Sequence, residues 1–215
     1  MLQVALNVLN SYSSVSINPM HKPVILASNS PRRRELLAQI GLSFQIDPAD
    51  VDESLLPHET PEGYAMRVAL DKARVAAARA GKGIIIAADT IVVLGDTVLG
   101  KPADPRDAER MLCLLSGRMH QVITGVALMD AETGKILTDR AVTRVWFRKL
   151  APEEIAAYVS TREPLDKAGA YGIQEKGSLL VDKIEGCFFN VVGLPLSLLG
   201  VMLRDFGITL HEINR

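Results

Sequence analysis

The chain carries the stretch VILASNSPRRRELL from residue 24 to residue 37, where an apolar run passes through a short polar turn into a helix start. Residues 24–27 are typical of a short strand. Ser30 is a good N-cap, and Pro31 suits the first position of a helix. A strand that leads through a tight turn into a helix predicts an α/β fold.

The same alternation of strand and helix patterns continues along the chain. A continuous apolar run at residues 84–88 is typical of a strand buried on both faces. Gly95-Asp96 separates two short apolar runs and predicts a hairpin. We expect further strands at residues 43–46, 91–94, 97–99, 121–129, 136–147, 179–184 and 187–192, the last two as a hairpin, and helices beginning near residues 31, 60, 104, 152 and 195.

Composition narrows the class of protein. The chain has 215 residues, of which 48% are hydrophobic, and a net charge of −1. This balance of charge argues against a protein that coats nucleic acid, and no apolar run is long enough to span a membrane. Cys113 and Cys187 lack a second Cys or a His at metal-ligand spacing, so we expect reduced thiols packed as small apolar side chains in a cytoplasmic protein.

The N-terminal residues differ from the rest of the chain. The first 20 contain no Lys or Arg, so they lack the positive start of a secretory signal. Every motif described below begins after Val24. We therefore expect residues 1–22 to be an extension, either a poorly ordered leader or a result of start-site choice, and residues 23–215 to form one domain.

Three consecutive arginines, Arg32, Arg33 and Arg34, occupy the first turn of the helix that follows Ser30. Cations at a helix N-terminus oppose the helix dipole, so helix propensity alone does not place them there. Outward-pointing N–H groups favour an anion at this position, and a bound phosphate would reverse the penalty. A solvated basic helix face is the plain alternative, but the position of the arginines favours phosphate.

Carboxylates follow two of the predicted strands. Asp89 comes directly after the apolar run at residues 84–88, and Asp52 and Glu53 lie on the loop after residues 43–46. A carboxylate at the end of a buried strand needs a partner, a metal or a catalytic role, although an Asp can also cap a local turn. Without accompanying Cys or His, these acids suit a hard cation such as Mg²⁺ or Mn²⁺. Metal-assisted attack of water on a phosphate therefore fits better than a His-activated nucleophile.

Two further polar clusters also follow predicted strands, where α/β proteins often bind ligands. The segment from Gly95 to Lys101 begins like a P-loop, but Pro102 stands where Ser or Thr is needed, so we predict only a phosphate contact from Lys101. Residues 163–174, EPLDKAGAYGIQ, combine Asp166 and Lys167 with small residues that allow close backbone approach to a ligand. An irregular loop without function is the plain alternative for this segment.

Several motifs, in this order, resemble those of the Maf family: SNSPRRRELL, YAMRVALDKA, AADT, GKP, LSGRMHQV, DKAGAYGIQ and NVVGLPL. The match extends from Val24 to about Phe206. The resemblance implies an ITPase-like α/β fold, with an elongated mixed β-sheet flanked by helices and a central substrate cleft, in a homodimer. It also implies hydrolysis of a nucleoside triphosphate to the monophosphate and pyrophosphate with a divalent metal.

The resemblance further implies roles for individual residues. Asp89 matches the family's general base or metal-linked acid, and Glu53 matches a second acid of the site, so both are predicted as catalytic residues and metal ligands. The predicted substrate contacts are Ser28, Arg32, Arg33, Lys72, Thr90, Lys101, Asp166, Lys167 and Gln174.

Arg32, Thr90 and Gln174 match the dTTP/UTP branch of the family, whereas the methylguanosine branch typically holds Trp, Gln and Glu at these places. A Gln offers a donor and an acceptor, which suits uracil or thymine, while a Trp can stack on a cationic methylated purine. We therefore expect dTTP and UTP as substrates, with modified pyrimidine nucleotides as further candidates. A 7-methyl-GTP pyrophosphatase and a non-catalytic nucleotide-binding regulator of septum formation are the alternatives.

Overall fold

The computed structural model describes residues 22–209, so all but the last residue of the predicted extension lies outside the described residues. The strands are β1 (Val24–Leu26), β2 (Gln45–Ile46), β3 (Ile84–Leu94), β4 (Thr97–Leu99), β5 (Met119–Asp130), β6 (Ile136–Phe147) and β7 (Val181–Glu185). The α-helices are α1 (Pro31–Gln39), α2 (Pro61–Ala80), α3 (Pro105–Leu115), α4 (Pro152–Ser160), α5 (Phe188–Val192) and α6 (Leu196–Arg204). Short 3₁₀ turns cover Glu163–Asp166, Ala168–Ala170 and Glu175–Leu180.

The strands form one mixed sheet in the order β2-β1-β3-β5-β6-β7, with β4 paired to β3. β1 runs parallel to β2 and β3, and the remaining pairs are antiparallel. The sheet is long because β3, β5 and β6 contain 11, 12 and 12 residues. The expected elongated mixed sheet flanked by helices is confirmed.

Helix α2 covers one face of the sheet. Its buried alanines recur at helical spacing, and their small side chains let the helix lie close to the strands. They pack against a set of strand residues on the same face: Ile25, Ala27, Ile85, Ala87 and Ala127. On the opposite face, α1 and α6 cover one end of the sheet, and α3 and α4 cover the other.

The candidate site lies at a gap along one edge of β3. β5 pairs with the whole other edge, from Ile84 to Val93. On the remaining edge, β1 pairs with residues 84–86 and β4 with residues 92–94. Among the described residues, no strand pairs with residues 87–91 on that edge, so the sheet is open there between β1 and β4.

The predicted N-cap Ser30 is confirmed, and Thr60 and Asp104 cap the helices that were expected to begin near them. The side chains of Ser30, Thr60 and Asp104 each accept a hydrogen bond from the backbone N–H three residues further on. Each is followed by a proline in the first turn, so these local signals fix where α1, α2 and α3 begin. Within residues 22–209, no helix is both long and apolar enough to cross a bilayer.

Three expectations are wrong. Residues 84–88 and 91–94 belong to the single strand β3, so Asp89 lies inside a strand and not after its end. Residues 187–192 do not pair with β7 in a hairpin but form the short helix α5, because a brief apolar run has no period that separates strand from helix. Cys113 is exposed, since the buried face of α3 consists of its neighbours Ala108, Met111, Leu112 and Leu115.

Candidate active site

A cavity of about 400 Å³ opens at the gap between β1 and β4. The structure brings every predicted site residue to this one cavity, from elements spread over most of the sequence. Lining it are Ser28, Arg32, Arg33, Glu53, Lys72, Asp89, Thr90, Lys101, Asp166, Lys167 and Gln174. Asp52 is absent from the lining, and its carboxylate accepts a hydrogen bond from the backbone N–H of Ser54.

The two predicted acids meet at Lys72 of α2. The Lys72 Nζ lies 2.8 Å from Asp89 Oδ1 and 2.7 Å from Glu53 Oε1. The side chains of Lys72 and Asp89 are each 11% exposed, whereas that of Glu53 is 52% exposed. Two carboxylates from distant segments therefore converge on one point, with Asp89 held at the buried side of the cavity.

The charge state of Glu53 follows from its neighbours. Partial burial favours the neutral acid, but the hydrogen bond from Lys72 and the charges of Lys72, Lys101 and Arg33 outweigh it and lower the pKa of Glu53 below 4.5. The side chain is thus a carboxylate at neutral pH. It offers oxygen ligands or an acceptor, not a proton.

Arg33 contacts Thr90, the residue that follows Asp89 in β3. Because successive residues of a strand face opposite sides of the sheet, Arg33 lies on the other side of β3 from the two acids. Its Nη2 donates to Thr90 Oγ1 at 3.0 Å, its Nε to the Gly193 carbonyl at 2.9 Å and its Nη1 to Ser28 Oγ at 3.2 Å. Within the described part of the chain, no carboxylate lies within ion-pair distance of Arg33. Burial is the main cause that lowers the pKa of Arg33, with the charge of Asp89 opposing it. A buried guanidinium whose described hydrogen-bond partners are all neutral attracts an anionic ligand.

Thr90 is tied to this arginine. Its Oγ1 accepts from Arg33 and lies 3.0 Å from Thr124 Oγ1, and the Thr124 hydroxyl in turn donates to the Asn190 carbonyl at 3.1 Å. The chain of hydroxyls links the arginine to β5 and α5. Thr90 therefore orients Arg33 from the strand that also carries Asp89.

The third wall of the cavity is the segment that contains Asp166, Lys167 and Gln174. Asp166 accepts hydrogen bonds from Arg32 Nη1 at 3.2 Å and from Lys167 Nζ at 2.7 Å. The Gln174 side chain makes no hydrogen bond with any described residue. Its amide is therefore available to a ligand, next to an ion pair that joins α1 to this segment.

Sequence reasoning missed two residues of the site. Gly193, which supplies the carbonyl for Arg33, has a φ of 125°, a conformation that L side chains rarely adopt. The glycine stands inside the NVVGLPL motif, so it could have been found there. Tyr64 also lines the cavity, and its hydroxyl donates to the Glu53 carbonyl at 2.7 Å.

The acids fit a metal ion that is shared with a phosphate. Within residues 22–209, no three His, Cys, Asp or Glu side chains are grouped to hold a metal by themselves. Glu53 and Asp89 each place one hard oxygen on the Lys72 ammonium, and Mg²⁺ is commonly bound by one or two carboxylates together with substrate phosphates and water.

Comparisons with known proteins agree with the motifs. A relative from Moorella thermoacetica named "dTTP/UTP pyrophosphatase" is 53% identical over 185 residues, covering 86% of this chain and 95% of that protein. One with the same name from Acetivibrio thermocellus is 49% identical over 193 residues, covering 86% and 96%. The solved structure of the Staphylococcus aureus Ham1 protein is a partial likeness, with a TM-score of 0.44 and 16% identity over 59% of this chain and 72% of that one. The family described as Maf-like protein matches residues 23–206, and the chain belongs to the Maf family.

Proposed function

We propose that this protein is a nucleoside triphosphate pyrophosphatase that hydrolyses dTTP and UTP to the monophosphate and pyrophosphate. The named activity of relatives about half identical over 86% of the chain supports this activity. The observation that carries it is the arrangement around β3 in one cavity: a carboxylate pair lies on one side, and on the other lies Arg33, which has no carboxylate partner among residues 22–209.

Arg33 and Lys101 are the proposed contacts of the phosphates. Attack of water at the α-phosphorus builds negative charge on the non-bridging oxygens, which fixed cations stabilise. Three neutral acceptors already hold Arg33 in place, so little reorganisation is needed when that charge develops. Lys101, for which no described carboxylate lies within ion-pair distance, is free to neutralise the leaving pyrophosphate.

Asp89 is the proposed base. Its carboxylate can orient a water molecule and accept its proton, and its low exposure limits competing solvent. Lys72 contacts both carboxylates, and its hydrogen bond and charge lower the pKa of Glu53. Glu53 and Asp89 would hold a divalent cation, Mg²⁺ or Mn²⁺, which when bound supplies charge neutralisation at the phosphate oxygens.

Gln174 is the proposed contact of the base. Its amide, which has no partner among the described residues, offers one donor group and one acceptor, which matches the mixed edge of uracil or thymine. Arg32, held to Asp166 at 3.2 Å, places a positive charge nearby that opposes a cationic methylated purine. This combination favours dTTP and UTP, and modified pyrimidine nucleotides with the same edge, over 7-methyl-GTP.

We also propose that the protein works as a homodimer in the cytoplasm. The dimer rests on resemblance to the family, and light scattering of the purified protein tests it. The location is supported by two cysteines without a disulfide, one of them exposed, which suit a reducing compartment.

A panel of triphosphates tests the activity. The purified protein is incubated with dTTP, UTP, CTP, GTP and 7-methyl-GTP in Mg²⁺ or Mn²⁺, and pyrophosphate and monophosphate are measured. We expect the highest kcat/KM with dTTP and UTP, and no turnover in excess EDTA. Preference for 7-methyl-GTP would assign the sister specificity, and tight binding without turnover would assign a regulator. Release of phosphate in place of pyrophosphate would exclude cleavage between the α and β phosphates.

A further inference from the structure

Glu53 lies on the least regular part of the site. Residues 47–60, between β2 and α2, contain neither helix nor strand, and most of them are exposed. A catalytic or metal-binding carboxylate needs its geometry fixed to within about 0.5 Å, which an unsupported loop does not provide. Something outside the loop must therefore hold Glu53 in place.

Tyr64, in the first turn of α2, holds the backbone of Glu53. Its hydroxyl donates to the Glu53 carbonyl at 2.7 Å, and the residue is 8% exposed. Burial, with the charges of Asp89 and Glu53, raises the pKa of Tyr64 to about 12. The phenol is therefore a neutral donor throughout the pH range of an enzyme assay.

Arg67, three residues further along α2, holds the next part of the loop. Its Nη2 donates to the Ser54 carbonyl at 2.9 Å, and its guanidinium binds both carboxylate oxygens of Glu59 at 2.7 and 2.9 Å. Glu59 in turn accepts a hydrogen bond from the Leu56 N–H. The Arg67 guanidinium also lies 5.4 Å from the centre of the Tyr64 ring, so the two side chains support each other.

The same helix also contacts the Glu53 carboxylate. Lys72 is eight residues after Tyr64, slightly more than two helical turns, so both side chains lie on one face of α2. Tyr64 fixes the Glu53 backbone and Lys72 contacts its side chain at 2.7 Å. Helix α2 thus contacts both the backbone and the side chain of Glu53, which lies on an irregular loop.

We propose that Tyr64 and Arg67, here called the α2 clamp, are positioning residues that keep the Glu53 carboxylate beside Asp89. The inference rests on the proposed function for its kinetic consequences. Loss of the clamp lets Glu53 drift, which lowers kcat and weakens activation by the metal. The KM for the nucleotide changes little, because Arg33 and Gln174 lie on other elements.

Kinetics of two variants test the clamp. Tyr64→Phe removes only the hydroxyl, and Arg67→Met removes the guanidinium while keeping much of its length. We expect each to lower kcat for dTTP at least tenfold, to raise the Mn²⁺ concentration for half-maximal activity, and to leave KM within about twofold. Arg74→Met is the matched control, because Arg74 on the same helix has, among the described residues, only an exposed ion pair with Asp71, which lies 3.7 Å from Arg67. Wild-type kinetics in both clamp variants would overturn the inference.

A double-mutant cycle separates positioning from general weakening of the fold. If the clamp acts through Glu53, Tyr64→Phe should have little further effect on kcat once Glu53→Gln is present. Independent, multiplied effects in the double variant would overturn the inference.

Hydrogen–deuterium exchange across residues 47–60 tests the clamp without turnover. We expect faster exchange in Tyr64→Phe and Arg67→Met than in the wild type and in Arg74→Met. If the wild type hydrolyses no triphosphate, the proposed function fails, and this measurement alone decides the clamp. Unchanged exchange in both variants would then overturn it.

Discussion

Gly125 lies directly opposite Asp89 in the β3–β5 ladder, and the backbone of α2 occupies the place of its missing side chain. A Cβ at position 125 would lie 2.3 Å from the Ala65 carbonyl oxygen and 2.4 Å from its carbon. The helix thus touches the sheet beside Asp89. Because the same helix carries Lys72, this glycine sets how closely the lysine approaches the buried acid.

Gly125→Ala should therefore push α2 away from β5. Overpacking typically costs about 1–3 kcal/mol, and contact with rigid backbone places this variant at the upper end. We expect a lower midpoint in urea and reduced turnover, since Lys72 moves with the helix. Gly200→Ala in α6 is the control, because a Cβ there meets nothing within 4 Å. It should be neutral or stabilise by about 0.5–1 kcal/mol. Equal stability of the two variants would contradict the close contact.

Asp89→Asn should abolish most turnover and leave the fold intact. The amide has nearly the same shape but cannot accept a proton, and loss of a general base typically costs about 10²–10⁴ in rate. Pyrophosphate release measures the loss, and circular dichroism checks the fold. Asp96→Asn, on the exposed β3–β4 turn, should keep full activity. A variant at position 89 with near wild-type kcat would remove Asp89 from the chemistry.

His120 should make stability depend on pH. It is 1% exposed, its Nε2 lies 2.8 Å from the Tyr171 hydroxyl, and burial lowers its pKa from 6.5 to about 4. The unfolded chain therefore binds the proton more readily between these values. The stability from neutral His120 is fully present above pH 6.5 and is lost as the pH falls towards 4. The slope is about 1.4 kcal/mol per pH unit, so the loss is on the order of 3 kcal/mol.

Urea unfolding of His120→Gln at a series of pH values measures this effect. The variant has no titrating group at the position but still offers a polar partner to Tyr171, so its stability should vary less between pH 6.5 and 4. His58→Asn, at an exposed loop position, should keep the wild-type slope. Parallel curves for the wild type and His120→Gln would show that His120 does not titrate in this way.

Local signals predicted the parts of the fold that depend on a few neighbouring residues. Ser30 and Pro31 fix the start of α1 through one capping hydrogen bond, and Gly95-Asp96 forms the predicted turn between β3 and β4. The prediction that Asp89 follows a strand was wrong, because a polar residue was assumed to end the strand. The β5 ladder continues past it, and Lys72 of α2 contacts its buried charge.

Long-range contacts of the site could not be predicted from sequence. The hydrogen bond from Arg33 to the Gly193 carbonyl joins residues 160 apart, and that from Arg32 to Asp166 joins residues 134 apart. No local pattern records such a pairing. The motifs indicated which residues belong to the site, but only the folded sheet shows that the acids and Arg33 lie on opposite sides of β3.

The last prediction concerns specificity at Gln174. Its amide lines the cavity without a partner among the described residues, so a pyrimidine can take both its donor and its acceptor. In Gln174→Glu the donor is lost, and one unpaired buried hydrogen bond costs about 1–3 kcal/mol. We expect kcat/KM for dTTP and UTP to fall about tenfold or more. The rate with 7-methyl-GTP should fall less, because a carboxylate can accept from guanine N–H groups. The substitution leaves Asp89 and Lys72 unchanged. The ratio of the kcat/KM values for the pyrimidine and 7-methyl-GTP substrates, measured on the same variant, is therefore the internal control. An equal fall for all triphosphates would mean that Gln174 does not contact the base.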